Sequence, residues 1–219
     1  MLVPSEPKFR RRKADRPGEI VNAAMAVFAE RGFAAARLDE IAARAGVSKG
    51  ALYLYFETKE EIFRAVVEQA IAPNIQTIRA MIAAHPGPFP DLLRLFAGRI
   101  AQVVDTLPLG GVVKMVIGEA RNFPEMARVY HDALVAQGLG ALADAIAAAQ
   151  RRGEVKPGDP RAYALQVVAP MLAGVIWRET FVPVGAQPFD LPALIGQHVE
   201  TMLSGLMTPR TPRAEGGGA

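Results

Sequence analysis

Apolar residues recur along most of the chain with a helical period. From Arg16 to Glu30 they fall at Ile20, Val21, Ala24, Val27 and Phe28, a spacing that places them on one stripe of one helix. Pro17 suits the first turn of that helix and Gly32 its end. Ile41, Ala42 and Ala45 predict a short second helix stopping at Gly46, and Ser48 is placed to cap a third over Lys49–Tyr55. Thr58 and Glu61 form a capping-box pattern ahead of a long amphipathic run through Ile62, Phe63, Val66, Val67, Ala70, Ile71, Ile75, Ile78 and Ile82, which Pro73 should kink or break. His85–Pro90 reads as a loop, followed by helices at about 91–105, 111–121, 124–151, 159–181 and 190–206. No stretch alternates with a period of two, so the fold class is all-α.

Charge adds a direction to this pattern. Residues 1–60 hold 11 Lys/Arg against 8 Asp/Glu, and the remainder holds 14 of each, so the whole net charge of +3 sits in the first quarter. Lys8, Arg10, Arg11, Arg12, Lys13 and Arg16 concentrate it in an arm that leads into the first helix, a nucleic-acid footprint whose plainer reading is a solvated tail. The chain has no cysteine, which excludes disulfides, thiolate metal sites and a cysteine nucleophile. No uninterrupted apolar run approaches the roughly 20 residues of a membrane span, and the first residues lack the apolar segment of an export signal. A cytoplasmic protein with no membrane partner is therefore expected.

The informative stretch is Leu38-Asp39-Glu40-Ile41-Ala42-Ala43-Arg44-Ala45-Gly46-Val47-Ser48-Lys49-Gly50-Ala51-Leu52-Tyr53-Leu54-Tyr55-Phe56. It describes a helix, a tight turn and a second helix: Gly46 permits a left-handed corner, Val47 plugs it and Leu52 anchors the second helix. Ser48, Lys49, Gly50 and Tyr53 then lie on the start and outer side of that helix, where a recognition helix meets base edges and phosphates. With the segments on either side of them, these residues predict a helix-turn-helix over 36–60.

Gly32-Phe33, Ile41-Ala42, Ala45-Gly46-Val47-Ser48, Leu52-Tyr53, Tyr55-Phe56 and Lys59-Glu60, with Ile20, Ala24 and Phe28 upstream, resemble the DNA-binding signature of the tetracycline-repressor (TetR, AcrR-like) family of transcriptional regulators. The resemblance covers roughly residues 16–66. It implies an N-terminal three-helix DNA-binding domain, a C-terminal helical domain that dimerises and usually takes a small ligand, and a homodimer on a palindromic operator. By position it implies that Lys49 and Gly50 face base edges, and that Tyr53, Tyr55 and Lys59 hold phosphates, with Ser48 divided between capping and phosphate. Packing is the competing role for Tyr53 and Tyr55. Arg44 is equally a phosphate contact or a solvated charge. The chain departs from the family at Ala36-Arg37, where a capping Ser or Thr is common; losing that cap costs on the order of 1 kcal/mol, and Arg37 offers a phosphate contact instead.

The expected organisation is a flexible basic arm at 1–15, the DNA-binding domain at 16–60, a regulatory and dimerisation domain at 61–207 and a disordered tail at 208–219. The stretches 159–181 and 190–206 are apolar on most of their circumference and must be buried on more than one side; the resemblance implies that they pair across the dimer axis, the plain alternative being monomer core. Ligand-lining candidates, by family position and apolar character, are Phe96, Met115, Phe123, Tyr130, Leu134, Met171 and Trp177. For each of them taken singly, ordinary core is the stronger reading. Gln102, Glu119, His131, Gln166 and Arg178 are polar groups that would orient a ligand. His85, His131 and His198 are scattered and lie in no metal-ligand motif, and no phosphate loop, Gly-x-Gly-x-x-Gly or Gly-x-Ser-x-Gly is present. An enzyme is not expected, nor a cofactor or metal. The function predicted is a repressor released from operator DNA by a small, hydrophobic effector, with a regulator governed by a protein partner or by abundance as the alternative.

Overall fold

The computed structural model describes residues 16–208, so the basic arm and all but the first residue of the expected tail lie outside it. Helices dominate: α1 is Arg16–Arg31, α2 Leu38–Arg44, α3 Lys49–Tyr53, α4 Lys59–Ala65, α5 Ala72–Ala84, α6 Phe89–Thr106, α7 Leu109–Glu119, α8 Pro124–Tyr130, α9 Ala136–Arg151, α10 Pro160–Thr180 and α11 Leu191–Leu206. Among the described residues the only β-pairing is the isolated bridge between Val155 and Met207. The all-α class is as expected. Some boundaries move: α3 ends at Tyr53, α7 runs two residues earlier than expected, and α6 begins at Phe89, inside the predicted loop, because Pro90 sits in the first turn, where a proline costs no hydrogen bond.

The chain forms two compact units that part elsewhere than at residue 60. Of the described residues, the first comprises 16–74 together with Pro108–Leu134, and the second comprises Ile75–Leu107 and 135–208. Two of the three crossings fall at or just beyond π-helical turns, Val66–Ile71 and His131–Val135. The first turn explains how the long run tolerates Pro73. A proline cannot donate to the carbonyl one turn back, and the wider turn upstream relieves the clash that its ring would make. Beside it, Asn74 Nδ2 donates to the Ala70 carbonyl at 3.3 Å.

In the first unit α1 packs on α2, α4 and α7. Its core is aromatic: the Phe33 ring lies 5.5 Å from Phe28, 5.8 Å from Phe63 and 4.9 Å from Phe123, tilted or edge-on to each. Such pairs add stability beyond the area they bury.

The second unit is held mainly by aliphatic packing. Ile78, Leu93, Leu142, Ile146, Val167, Ile195 and Val199 form its centre, with α10 laid against α9 and α11, and α11 against α6. A bidentate pair from Arg94 to Glu200, at 2.7 and 3.0 Å, ties α6 to α11 on the surface. Two helical runs, 124–151 and 160–184, are long and apolar enough by length and composition to cross a membrane, with mean hydropathies of 1.3 and 1.4. The expectation from the sequence concerned uninterrupted apolar runs only; an average over a window tolerates isolated polar residues. In the structure one side of α10 enters the core through Ala164, Val167, Met171 and Val175, while Leu165, Phe181 and Val184 at and beyond its other faces are exposed.

Candidate nucleic-acid interface

Local chemistry sets the geometry of the first unit's outer surface. After α2 the chain turns at Gly46, whose φ of +67° is open to glycine at little cost. Val47 N–H donates back to the Ala42 carbonyl at 3.0 Å, closing the corner. Ser48 Oγ accepts from Ala51 N–H at 3.1 Å and so starts α3. Leu52, fully buried, anchors that helix. Thr58 Oγ1 accepts from Glu61 N–H at 3.1 Å, as the capping box predicts, but Glu61 returns its carboxylate to Glu57 N–H rather than to Thr58.

This frame exposes a short polar row. Lys49 and Gly50 face solvent, and a Cβ at Gly50 would meet nothing within 4 Å, so a groove-sized object can approach closely there. Tyr53 is 44% exposed, Leu54 82% and Tyr55 38%, so neither tyrosine is consumed by packing. The Arg37 side chain is 77% exposed. It occupies the N-cap of α2 with no side-chain cap hydrogen bond, which is the departure the sequence indicates.

Several candidate cations are already engaged. Arg44 donates to both Glu30 oxygens at 2.7 and 2.8 Å, and the pairing holds the Glu30 carboxyl below its ordinary value. Lys59 Nζ donates to the Ala34 carbonyl at 3.0 Å and to Ala36 at 3.4 Å, and lies 4.7 Å from the Phe33 ring centre. Lys49 Nζ sits 2.7 Å from Asp39 Oδ1. That hydrogen bond raises the lysine and lowers the aspartate from their ordinary values.

Two acidic residues of this surface escape sequence reasoning. Asp39 is one. Glu119, expected from the sequence to orient a ligand, is the other: its Oε1 accepts from Phe33 N–H at 2.8 Å and its Oε2 from Ala34 N–H at 2.7 Å. It fits so closely under the turn that a Cβ on Gly32 would lie 2.5 Å from Oε1. Glu119 and Lys59 thus hold residues 33–36, the connection from α1 to α2, through its amides and its carbonyls respectively. A carboxylate that binds amides 85 residues away leaves no spacing signature, so no pattern in the sequence could have found it.

The other polar candidates are likewise occupied or exposed. Gln102 accepts from Arg99, Arg178 bonds Glu179 and the Val104 carbonyl, His131 pairs with Asp132 on the surface, and Gln166 is exposed. Of the seven apolar candidates, Met115, Phe123, Tyr130 and Leu134 belong to the first unit, and Phe96, Met171 and Trp177 to the second. Phe123 meets Phe33 edge to face, whereas Trp177 packs with Phe181 and Phe189 and donates to the Gln187 carbonyl. Desolvation pushes the Tyr130 phenol up to about 12. A groove of about 780 Å³ between α5 and α9 is lined by Arg79, His85, Gln137, Asp144 and Arg152 among others, and by none of the seven. No group of three or more metal-ligating side chains occurs among the described residues.

Comparison with known proteins places this geometry among DNA-binding regulators. Residues 20–66 match the family model of bacterial regulatory proteins of the tetR family, and residues 91–204 match that of the C-terminal domain of AefR-like transcriptional repressors. The HTH-type transcriptional repressor BepR of Brucella suis is 30% identical over 200 residues, covering 87% of this chain and 91% of BepR. In fold the chain resembles the regulator FadR of Bacillus subtilis in complex with stearoyl-CoA, with a TM-score of 0.65, 22% identity and coverage of 86% and 98%. It also resembles SmeT, a Stenotrophomonas maltophilia repressor, in complex with triclosan, with a TM-score of 0.66, 23% identity and coverage of 89% and 93%.

Proposed function

The chain belongs to the tetR family of bacterial transcriptional regulators, which bind DNA and are not enzymes, and we propose that it acts as a homodimeric repressor released from a palindromic operator by a hydrophobic small molecule. The carrying observation is the exposed row on and beside α3, Ser48, Lys49, Gly50, Tyr53 and Tyr55, set by a side-chain-capped turn and anchored by the buried Leu52. In the proposed complex Lys49 donates to guanine acceptors in the major groove, and the two tyrosines and Arg37 contact phosphates. Arg44 and Lys59 support this surface from within, through Glu30 and the 33–36 turn.

The dimer reading rests on surplus apolar surface. Leu165, Phe181, Val184 and Phe189 on or beside α10 and α11 remain exposed in the single chain, and pairing these helices with a second copy would cover them. The hydrophobic character of the effector is supported by what two proteins of like fold carry, stearoyl-CoA in FadR and triclosan in SmeT. Met115, Tyr130 and Leu134 in the first unit, and Phe96 and Met171 in the second, are the candidates with no aromatic ring partner among the described residues.

Selection of binding sites from random duplexes tests the core of this reading. The expected product is a palindrome with half-site centres roughly 10 bp, or a multiple, apart. A single asymmetric half-site, with a monomer by sedimentation at micromolar concentration, would overturn the dimeric form. Titration of the selected operator with long-chain acyl-CoA, and with small-molecule fractions of a cell extract, tests release. A typical coupling weakens binding by about 5- to 150-fold, and no change with any fraction would leave control by a protein partner or by abundance.

A further inference from the structure

Lys49 opens α3 immediately after its Ser48 cap, and its ammonium is directed not into open solvent but onto Asp39 Oδ1 at 2.7 Å. Asp39 belongs to the first turn of α2, and its other oxygen lies 3.8 Å from Arg37 Nη2. The carboxylate therefore lies close to two exposed cations of this surface, Lys49 and Arg37. The Lys49 and Asp39 side chains are 57% and 49% exposed, so the pair is on the surface rather than in the core, and its removal opens no cavity. Arg31 and Arg44 are paired in the same region with Glu40 and Glu30, which are not partners of Lys49.

We infer that Asp39 is a specificity-determining residue of this surface: its carboxylate retains the Lys49 ammonium against phosphate and releases or shares it only where a base edge offers matching acceptors. This rests on the reading that Lys49 faces the bases. A lysine is a flexible point charge with three donors, and left to itself it would take the nearest phosphate on any sequence. Phosphate contact is sequence-independent and supplies most non-specific affinity. Holding Lys49 with a carboxylate restricts its reach, and the carboxylate itself repels the backbone, so non-cognate duplex gains little from this side chain. Guanine O6 and N7 present two acceptors without a full negative charge. There the ammonium can donate to the base while keeping a bond to Asp39.

The test compares the full chain with Asp39→Asn, Lys49→Ala, the double variant and Glu40→Gln, each titrated against the selected operator and a scrambled duplex of equal length over a range of salt. Glu40→Gln removes the same charge one residue away but from Arg31 instead of Lys49. Asp39→Asn should tighten the scrambled duplex by roughly 3- to 10-fold and steepen its salt dependence by about 0.9, the signature of one additional phosphate contact. The operator should gain less, so the ratio of operator to scrambled affinity falls, by up to about tenfold. Glu40→Gln should leave that ratio unchanged, and in the Lys49→Ala background Asp39→Asn should no longer change it. An equal effect of Asp39→Asn on both duplexes, or the same ratio change from Glu40→Gln, overturns the inference. If Lys49→Ala weakens both duplexes equally, it is the base-contact reading that fails, which separates the two.

Discussion

Each unit closes a turn with a carboxylate drawn from far along the chain, and the two arrangements differ in what surrounds the acid. Glu119, at the end of α7, fills both oxygens with amides, those of Phe33 and Ala34. Glu154 accepts from one amide, Phe89 N–H at 2.7 Å, and from the Arg152 guanidinium. Beside each acid stands a fully buried phenylalanine, Phe33 in an aromatic cluster and Phe89 among aliphatic side chains. The chemistry is alike, but the consequence is not. The turn under Glu119 leads directly into the helices that present Lys49 and Tyr53, whereas the amide under Glu154 opens α6, remote in sequence from any residue proposed to face DNA. Damage in the first unit should therefore reach DNA binding, and equal damage at α6 in the second, away from the exposed faces of α10 and α11 proposed for the dimer, should reach stability alone.

The largest test of this contrast is a matched pair of core truncations. Phe33→Ala and Phe89→Ala should each cost about 3–5 kcal/mol of unfolding free energy, read by urea denaturation. At low temperature, where both remain folded, Phe33→Ala should weaken operator binding sharply and Phe89→Ala should not. Equal losses of affinity would erase the distinction between the units.

A smaller effect isolates the polar clamp. Glu119→Ala leaves two amides without their acceptor and should cost about 1.5–3 kcal/mol, hydrogen bonds to a charged group being stronger than the neutral average. Glu119→Gln keeps one acceptor and should lose about half as much. Operator affinity should follow the same order across the two variants. An unchanged affinity in Glu119→Ala would mean that the 33–36 turn does not govern the placement of α2 and α3.

Smaller still is the effect at the uncapped start of α2. Arg37→Ser supplies an acceptor to a free helix terminus and should raise stability by about 0.5–1 kcal/mol, while operator binding weakens several-fold through loss of a phosphate contact. Stability and affinity then move in opposite directions at one position, which no second-unit substitution should reproduce. A gain in both would show that Arg37 plays no part at the DNA surface.

The two units also differ in how far their sequence could be read. The helix-turn-helix was legible because it needs particular residues at particular spacings: Gly46 at a positive φ, Ser48 and Thr58 as caps, Leu52 as anchor. The second unit needs only apolar residues of suitable size, so its helices were legible from periodicity but its packing partners were not. The roles of Lys59 and Asp39 stayed hidden because both are decided by which loop or helix lies nearby in three dimensions. The membrane-length hydropathy of α10 shows the same limit, since composition gives the apolar surface and not what covers it.

Acid titration gives the finest comparison. The Glu154 carboxyl lies below its ordinary value of 4.5 chiefly because Arg152 donates to it, with the Phe89 amide adding to the effect and partial burial opposing it. Glu30 in the first unit is lowered in the same direction, chiefly by its bond from Arg44. An acid whose folded pKa is depressed contributes stability above its unfolded value, and that contribution is lost as pH falls through the folded one. Glu154→Gln and Glu30→Gln should therefore each flatten the fall of Tm below about pH 4.5 while changing little of its shape above about pH 6. Glu154→Gln retains an acceptor for Phe89 N–H, so the part of the acid limb that disappears is the part due to charge. An acid limb as steep as in the unaltered chain would show that Arg152 and Glu154 are a pair in geometry only, leaving the Phe89 amide as the whole of that carboxylate's task.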